Sequence, residues 1–251
     1  MSTSAVYLTF DGEAALITLD RPGGNRIDFA MREQILQSVR AVAASGARVL
    51  IVQAIGPDFC LGGDAREWAG LPTSALKPRI AVYLTALREL QDLPIPTVAV
   101  VQGRCRGGGF ELALSCDFIC AARTADFAFP ESRLGIMTLQ GGVVQLSERI
   151  GRTRALEMTT LSDPVSATQL SRWNVVNWVV DEGALDREAR RVAGRLAASA
   201  PAAFAATKSL LTLRRLGGAW AADDQLYRLS MPLFEDDSVQ AALAAAETTI
   251  E

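Results

Sequence analysis

The stretch Arg104 to Asp117 reads R-C-R-G-G-G-F-E-L-A-L-S-C-D, and Pro130-Glu131 follows shortly after it. A run of glycines lets a backbone approach a ligand closely, and here it opens a helix whose first amides have no partner inside it. Such amides, with the helix dipole behind them, suit a negative charge. Glu111 lies three residues beyond Gly108, so in a helix the two share a face. One short segment thus offers an oxyanion donor and an acid/base carboxylate. The residues alone leave Glu111 a second reading, as an exposed side chain or a salt-bridge partner of Arg104 or Arg106. Glu131 alone also reads as a surface glutamate at a helix start, where acidic residues are favoured.

Other chemistries are excluded by what the chain lacks. Its 251 residues contain no histidine, which removes Ser-His-Asp and Cys-His systems and the commonest metal ligand. The four cysteines, Cys60, Cys105, Cys116 and Cys120, form no C-x-x-C pair, so buried reduced thiols are expected and no metal site. A net charge of −3 without a basic stripe argues against nucleic acid as a partner. No apolar run is long enough for a membrane span, and the first residues lack the basic-then-apolar pattern of a signal peptide. A cytoplasmic location is the default expectation. With 49% hydrophobic and 21% charged residues, the composition is that of a folded globular chain.

The elements that must position these residues alternate. Val6–Phe10 and Ala14–Leu19 read as strands around an Asp11-Gly12 turn. Asp28 to Ala44 reads as a helix capped by Asp28, with Phe29, Ile35, Leu36, Val39 and Val42 on its apolar stripe. Val49–Val52, Thr97–Val101 and Phe118–Ala122 are β-branched or apolar runs expected as buried strands, with a short strand at Asp126–Phe129. A helix is expected at Ile80–Leu90, before Pro94 and Pro96. After Gly141 the chain turns helical: Val143–Ile150, Arg154–Leu161, Ala167–Trp173, Leu185–Ser199, Ala202–Leu213, Trp220–Leu233 and Ser238–Thr248, interrupted by a strand at Val175–Val180. The fold class is α/β, with residues 1–198 as core and 199–251 as a helical C-terminal region.

Five segments in order resemble the crotonase, or enoyl-CoA hydratase/isomerase, superfamily. Leu19-Asp20-Arg21-Pro22 with Asn25 resembles its L-x-R-P…N segment, and Phe59 to Asp64 (F-C-L-G-G-D) its F-C-A-G-A-D loop. Val101 to Asp117 is similar to its V-x-G-x-x-x-G-G-G-x-E-L-A-x-x-C-D core. Phe127 to Gly135 (F-A-F-P-E-S-R-L-G) resembles F-x-x-P-E-x-x-L-G, and Trp173 to Val180 resembles G-L-V-N-x-V-V. Asn174 stands where glycine is usual, and asparagine is the next most tolerant of left-handed backbone.

The resemblance implies a spiral of ββα units with a C-terminal helical oligomerisation region. It also implies an enolate formed from an acyl-CoA thioester, with coenzyme A as part of the substrate and no further cofactor. By motif position the oxyanion donors are the amides of Gly63 and Gly108, and the acid/base pair is Glu111 and Glu131. Two carboxyls facing one small cavity share a proton, which suits the addition of water; hydratases of the family have glutamate at both positions, whereas its Δ3-Δ2 isomerases use the Glu131 position alone. A Δ3-Δ2 isomerase, or another crotonase-type enolate chemistry such as decarboxylation, is the second reading, and a non-catalytic CoA-binding or assembly protein is the third. The loop Gly63-Asp64-Ala65-Arg66, with Leu61, is expected to border the thioester and the CoA adenine, and Asp64 is expected to cap the helix through Trp68. Arg21 or Arg26 would stand in for the family's basic residue near the phosphates. Thr138-Leu139-Gln140 departs from the family's P-G-x, so that Leu139 narrows the cavity and Gln140 meets either substrate or solvent. The apolar helices between Ala202 and Thr248 are expected to assemble a homotrimer or homohexamer.

Overall fold

A tight turn at Gly12-Glu13, one residue beyond the expected Asp11-Gly12, joins the first two strands, β1 (Val6–Asp11) and β2 (Ala14–Leu19), with Val6 opposite Leu19 across the antiparallel pair. The computed structural model describes residues 4–245. Asp28 caps α1 (Phe29–Ala43) by accepting the Met31 amide at 2.7 Å, as its residue type predicts. The chain then runs through β3 (Val49–Ala54), α2 (Thr73–Gln91), β4 (Thr97–Val101), β5 (Arg104–Arg106), α3 (Gly108–Ser115), β6 (Phe118–Ala122) and β7 (Asp126–Ala128). α4 (Gly142–Ile150), α5 (Arg152–Leu161), β8 (Val165–Ser166), α6 (Ala167–Arg172), β9 (Trp178–Val180) and α7 (Leu185–Ala197) complete the first of two compact units, which ends at Ala197.

β1, β2, β3, β4, β6 and β9 lie in that order in one sheet, parallel from β2 onward. Strands buried on both faces read as unbroken apolar runs, and β4 is buried along its whole length. β5, β7 and β8 form a second, three-stranded sheet. α3 runs from the end of β5 to the start of β6, and all eight of its residues are buried. Its C-terminal end is fixed by Arg149 of α4, whose Nη2 donates to the carbonyls of Leu114 (2.8 Å) and Cys116 (3.2 Å), a cation on the negative end of a helix. Asp117 next ties β6 to β4 by accepting the amide and hydroxyl of Thr97.

Several sequence expectations are corrected here. α2 begins at Thr73 and carries Pro78 inside it, where Ile80 was the expected start. Pro78 denies a partner to the carbonyl of Ser74, but both residues are exposed, so water can serve that carbonyl. The expected strand Val175–Val180 is reduced to Trp178–Val180. Val175 and Val176 instead donate to the carbonyl of Leu170 and close α6, with Asn174 at φ 61° making the turn, the left-handed role expected of it. β5 and β8 are too short to carry a periodic signal. All four cysteines are buried and free, and burial pushes the Cys60 and Cys120 thiols up to about 12.

The second unit, from Ala198 onward, holds α8 (Pro201–Ser230) and α9 (Asp237–Ala244). α8 breaks at Gly218 (φ 77°, ψ −173°), so it is two helices, as read from the sequence. The expected continuation of the last helix to Thr248 lies outside the described residues. Among the described residues no single helix is long and apolar enough to cross a membrane.

Candidate active site

The three consecutive glycines do three different jobs. Gly107, at φ 47° and ψ −120°, makes the turn from β5 into α3, and a Cβ there would stand 2.3 Å from Oε1 of Glu131. Gly107 is therefore the space into which the Glu131 carboxyl fits. Gly109 lets α3 pack on Cys60, whose carbonyl oxygen would lie 2.6 Å from an added Cβ. Gly108 contributes its amide, first in α3 and so without an intrahelical acceptor. Tyr83 of α2 holds that peptide by donating its hydroxyl to the Gly108 carbonyl at 2.8 Å.

Gly63 comes to the same place from the loop after β3. It bridges to Ile27, whose amide donates to Gly62 and whose carbonyl accepts from Asp64. This leaves the Gly63 amide itself without an acceptor among the described residues. A Cβ on Gly108 would stand 3.6 Å from the Gly63 nitrogen, so the two amides are neighbours. Two free amides beside each other at a helix N-terminus form a site for a developing oxyanion, and removing one such donor typically costs about 3–4 kcal/mol in the transition state.

Glu131 starts a short 3-10 turn after Pro130. Its Oε2 is buried without a hydrogen-bond partner, and burial pushes its carboxyl up to about 7. Glu111 is 1% exposed. Its Oε1 accepts the backbone amides of Gln140 (2.8 Å) and Gly142 (2.9 Å). Burial, opposed by these two hydrogen bonds and aided by the Glu131 charge, pushes Glu111 up to about 7 as well. Neither alternative reading of Glu111 stands, because Arg104 pairs with Asp58 and Arg106 with Asp126.

Ile27, Arg32, Gly63, Trp68, Tyr83, Gly108, Glu131, Leu139 and Gln140 enclose one small cavity. It offers about 20 Å³ to the centre of a water molecule, room for about one water. Leu139 is in its wall, as expected of a residue that narrows it, and Gln140 is buried there rather than turned to solvent. Glu131 is in the wall of this cavity, and Glu111 is tied by its Oε1 to the amides of Gln140, a neighbouring wall residue, and Gly142. Sequence reading also missed Arg32, Trp68 and Tyr83. The signal for Arg32 was its spacing, for it falls between Phe29 and Leu36 on the apolar stripe of α1, and it is 2% exposed.

A profile of the enoyl-CoA hydratase/isomerase family matches residues 9–240. The chain belongs to that family. Among relatives of this enoyl-CoA hydratase/isomerase family member, the carnitinyl-CoA dehydratase of Salmonella typhimurium is 38% identical over 215 residues, covering 83% of this chain and 80% of the relative. An enoyl-CoA hydratase subunit structure from Geobacillus kaustophilus superposes with a TM-score of 0.92 at 30% identity, covering 99% of this chain and 96% of its own. The enoyl-CoA hydratase of Mycobacterium smegmatis gives 0.91 at 26% identity, covering 97% and 96%. The fold is the crotonase fold, and the chain is an enzyme of hydratase/isomerase type, a family with which an acyl-CoA substrate is consistent.

The remaining residues implied by the family flank the cavity without lining it. Asp64 does not cap the turn Ala65–Glu67: its carboxylate accepts from Arg66 (2.7 and 2.8 Å) and from Arg21 (3.2 Å). The Arg66 hydrogen bonds, then Arg21, hold it down at about 2. The side chain stays out of the cap position because two guanidiniums draw it sideways. Arg21 also pairs with Asp28 at 3.0 Å. Arg26 donates to the carbonyl of Leu61 (3.2 Å) and has no carboxylate within 4 Å among the described residues.

Proposed function

We propose that this enzyme adds water to a 2-enoyl-CoA, or removes it in the reverse direction. The supporting observation is the pair Glu111 and Glu131: each is raised to about 7, the charge of Glu131 raises Glu111, and Glu131 shares its cavity with Gly63 and Gly108. A thioester carbonyl between Gly63 and Gly108 would gather enolate charge there. With both carboxyls raised toward neutrality, the pair can share one proton near neutral pH, so that one group would accept a proton from water while the other donates one to the α-carbon. The cavity has room for about one water, and relatives named for hydratase and dehydratase reactions agree with this class.

A second reading, Δ3-Δ2 enoyl-CoA isomerisation by Glu131 alone, is favoured by Leu139 and Glu131 in the cavity wall. Loss of the conjugated-enoyl absorbance on adding enzyme to short 2-enoyl-CoAs is expected; conversion of 3-enoyl-CoA with no hydration of any 2-enoyl-CoA would instead establish the isomerase.

Assembly is part of the same proposal. In the second unit Leu211, Leu216, Trp220 and Tyr227 are 64%, 73%, 87% and 70% exposed. Apolar area of that kind calls for cover, and closed symmetric copies of the chain provide it. A homotrimer or homohexamer, about 80 or 160 kDa from a 26.8 kDa chain, is expected by light scattering behind a sizing column. A dilution-stable mass of one chain would reject it.

A further inference from the structure

Three buried polar atoms of this site lack a hydrogen-bond partner: Nε of Arg32, Nε1 of Trp68 and Oε2 of Glu131. All three belong to residues that line the small cavity described above. Glu131 is explained by proton transfer, but the other two are donors and the proposed hydration does not use them. A buried donor left unsatisfied loses its water without replacement, which is costly and more so when the donor is charged. Arg32 is the sharper case. Its side chain is held between the rings of Phe29 and Trp68, with its guanidinium carbon 5.0 and 5.5 Å from their centroids. Its Nη1 makes one long hydrogen bond, 3.4 Å to the carbonyl of Arg79.

Among the described residues no carboxylate lies within 4 Å of Arg32. Glu67 and Asp28 act on it only from a distance and are engaged elsewhere, Glu67 with the amide of Phe29 and Asp28 with Met31 and Arg21. Burial lowers its proton affinity, yet a guanidinium keeps its proton in a protein. The protein therefore presents an unpaired positive charge and an indole N–H beside the oxyanion amides. Arg32 stands close to them, for its Nη2 would be 3.5 Å from a Cβ on Gly63.

We infer that Arg32 and Trp68 form an anion-binding end of the acyl pocket, and that the preferred substrate is a short acyl-CoA whose acyl group carries a carboxylate. The inference rests on the reading of this cavity as the acyl site. A planar carboxylate matches the fork of a guanidinium. The nearness of Arg32 to Gly63 restricts the chain to a few carbons between thioester and carboxylate. An uncharged alkyl chain of the same length would leave the guanidinium and the indole N–H unpaired.

Matched thioesters test this. Glutaconyl-CoA and 2-pentenoyl-CoA have equal carbon chains, one ending in a carboxylate and the other in a methyl group. The kcat/KM for glutaconyl-CoA is expected to exceed that for 2-pentenoyl-CoA by about 30-fold, and Arg32→Met should bring the ratio close to one. A wild-type preference for 2-pentenoyl-CoA, or equal losses on both thioesters in the variant, would overturn the inference; the second result would make Arg32 a packing residue only. If Arg32→Met does not fold, binding to the wild-type protein decides. Glutaryl-CoA is expected to bind about 30-fold tighter than pentanoyl-CoA, and equal Kd values overturn the proposal. Binding of these saturated thioesters does not depend on turnover. Tighter binding of glutaryl-CoA without hydration of any enoyl thioester would uphold the anion site and reject the hydratase reading.

Discussion

Glu131→Gln is expected to lower kcat for hydration about 1,000-fold, with a much smaller change in KM, because the substitution removes a proton carrier from the cavity wall but keeps its shape. Glu111→Gln should lower kcat by a similar factor under the hydratase reading and only mildly under the isomerase reading, so the pair of variants separates the two. The Glu111→Gln substitution has an opposite effect on stability. Below a pH of about 4.5 the Glu111 carboxyl is protonated in both folded and unfolded chains and contributes no difference. As pH rises from 4.5 toward 7, the unfolded chain releases this proton while the folded chain retains it, so folding loses free energy. The loss is complete above the folded value and amounts to about 3 kcal/mol at most. The amide side chain of the variant can still accept both loop amides through its carbonyl oxygen and carries no such loss. Thermal melting should therefore show the variant more stable than the wild type at pH 8, with the gap closing at pH 4. A gap of the same size at both pH values would reject the raised carboxyl.

Gly107→Ala is expected to lower activity on the order of 100-fold although both glutamates are kept. The new methyl group would stand 2.3 Å from Oε1 of Glu131, and the carboxyl must retreat by more than about 1 Å to reach ordinary contact. Misplacement on that scale can lower the rate on the order of 100-fold. The backbone adds a second effect, since φ 47° with ψ −120° lies outside the regions open to alanine, and strain of this kind costs about 1–3 kcal/mol. Steady-state kinetics and thermal denaturation of the purified variant check both parts. A fully active variant with an unchanged Tm would show that Glu131 sits elsewhere in the working enzyme.

Much of this arrangement was legible in the residues. The N-cap at Asp28, the left-handed Asn174, the buried parallel strands and the break in α8 all follow from local chemistry that needs no tertiary context. The glycine run also announced a site, yet the sequence could not divide its labour, because Glu131 and Cys60 approach Gly107 and Gly109 from distant segments. Asp64 misled for a related reason. Its position suits a cap, but the two guanidiniums that turn it aside come from residues 2 and 43 positions away along the chain. Arg32 was hidden by its own type: an arginine among apolar positions reads as one exposed step of a helix, and only the packing of Phe29 and Trp68 around it shows otherwise.

The two oxygens of Glu111 are not equivalent. Oε1 is committed to the amides of Gln140 and Gly142, at the very start of α4, which leaves Oε2 to carry the proton. A carboxyl free to rotate presents either oxygen and reaches over a wide arc. This one has its torsion fixed by the loop it anchors, so it delivers from a single direction. On the hydratase reading, a planar enoyl group pinned by its carbonyl at Gly63 and Gly108 would meet that proton on one face only, and the product would have one handedness. Stereochemical purity would then come from two backbone amides that never touch the substrate.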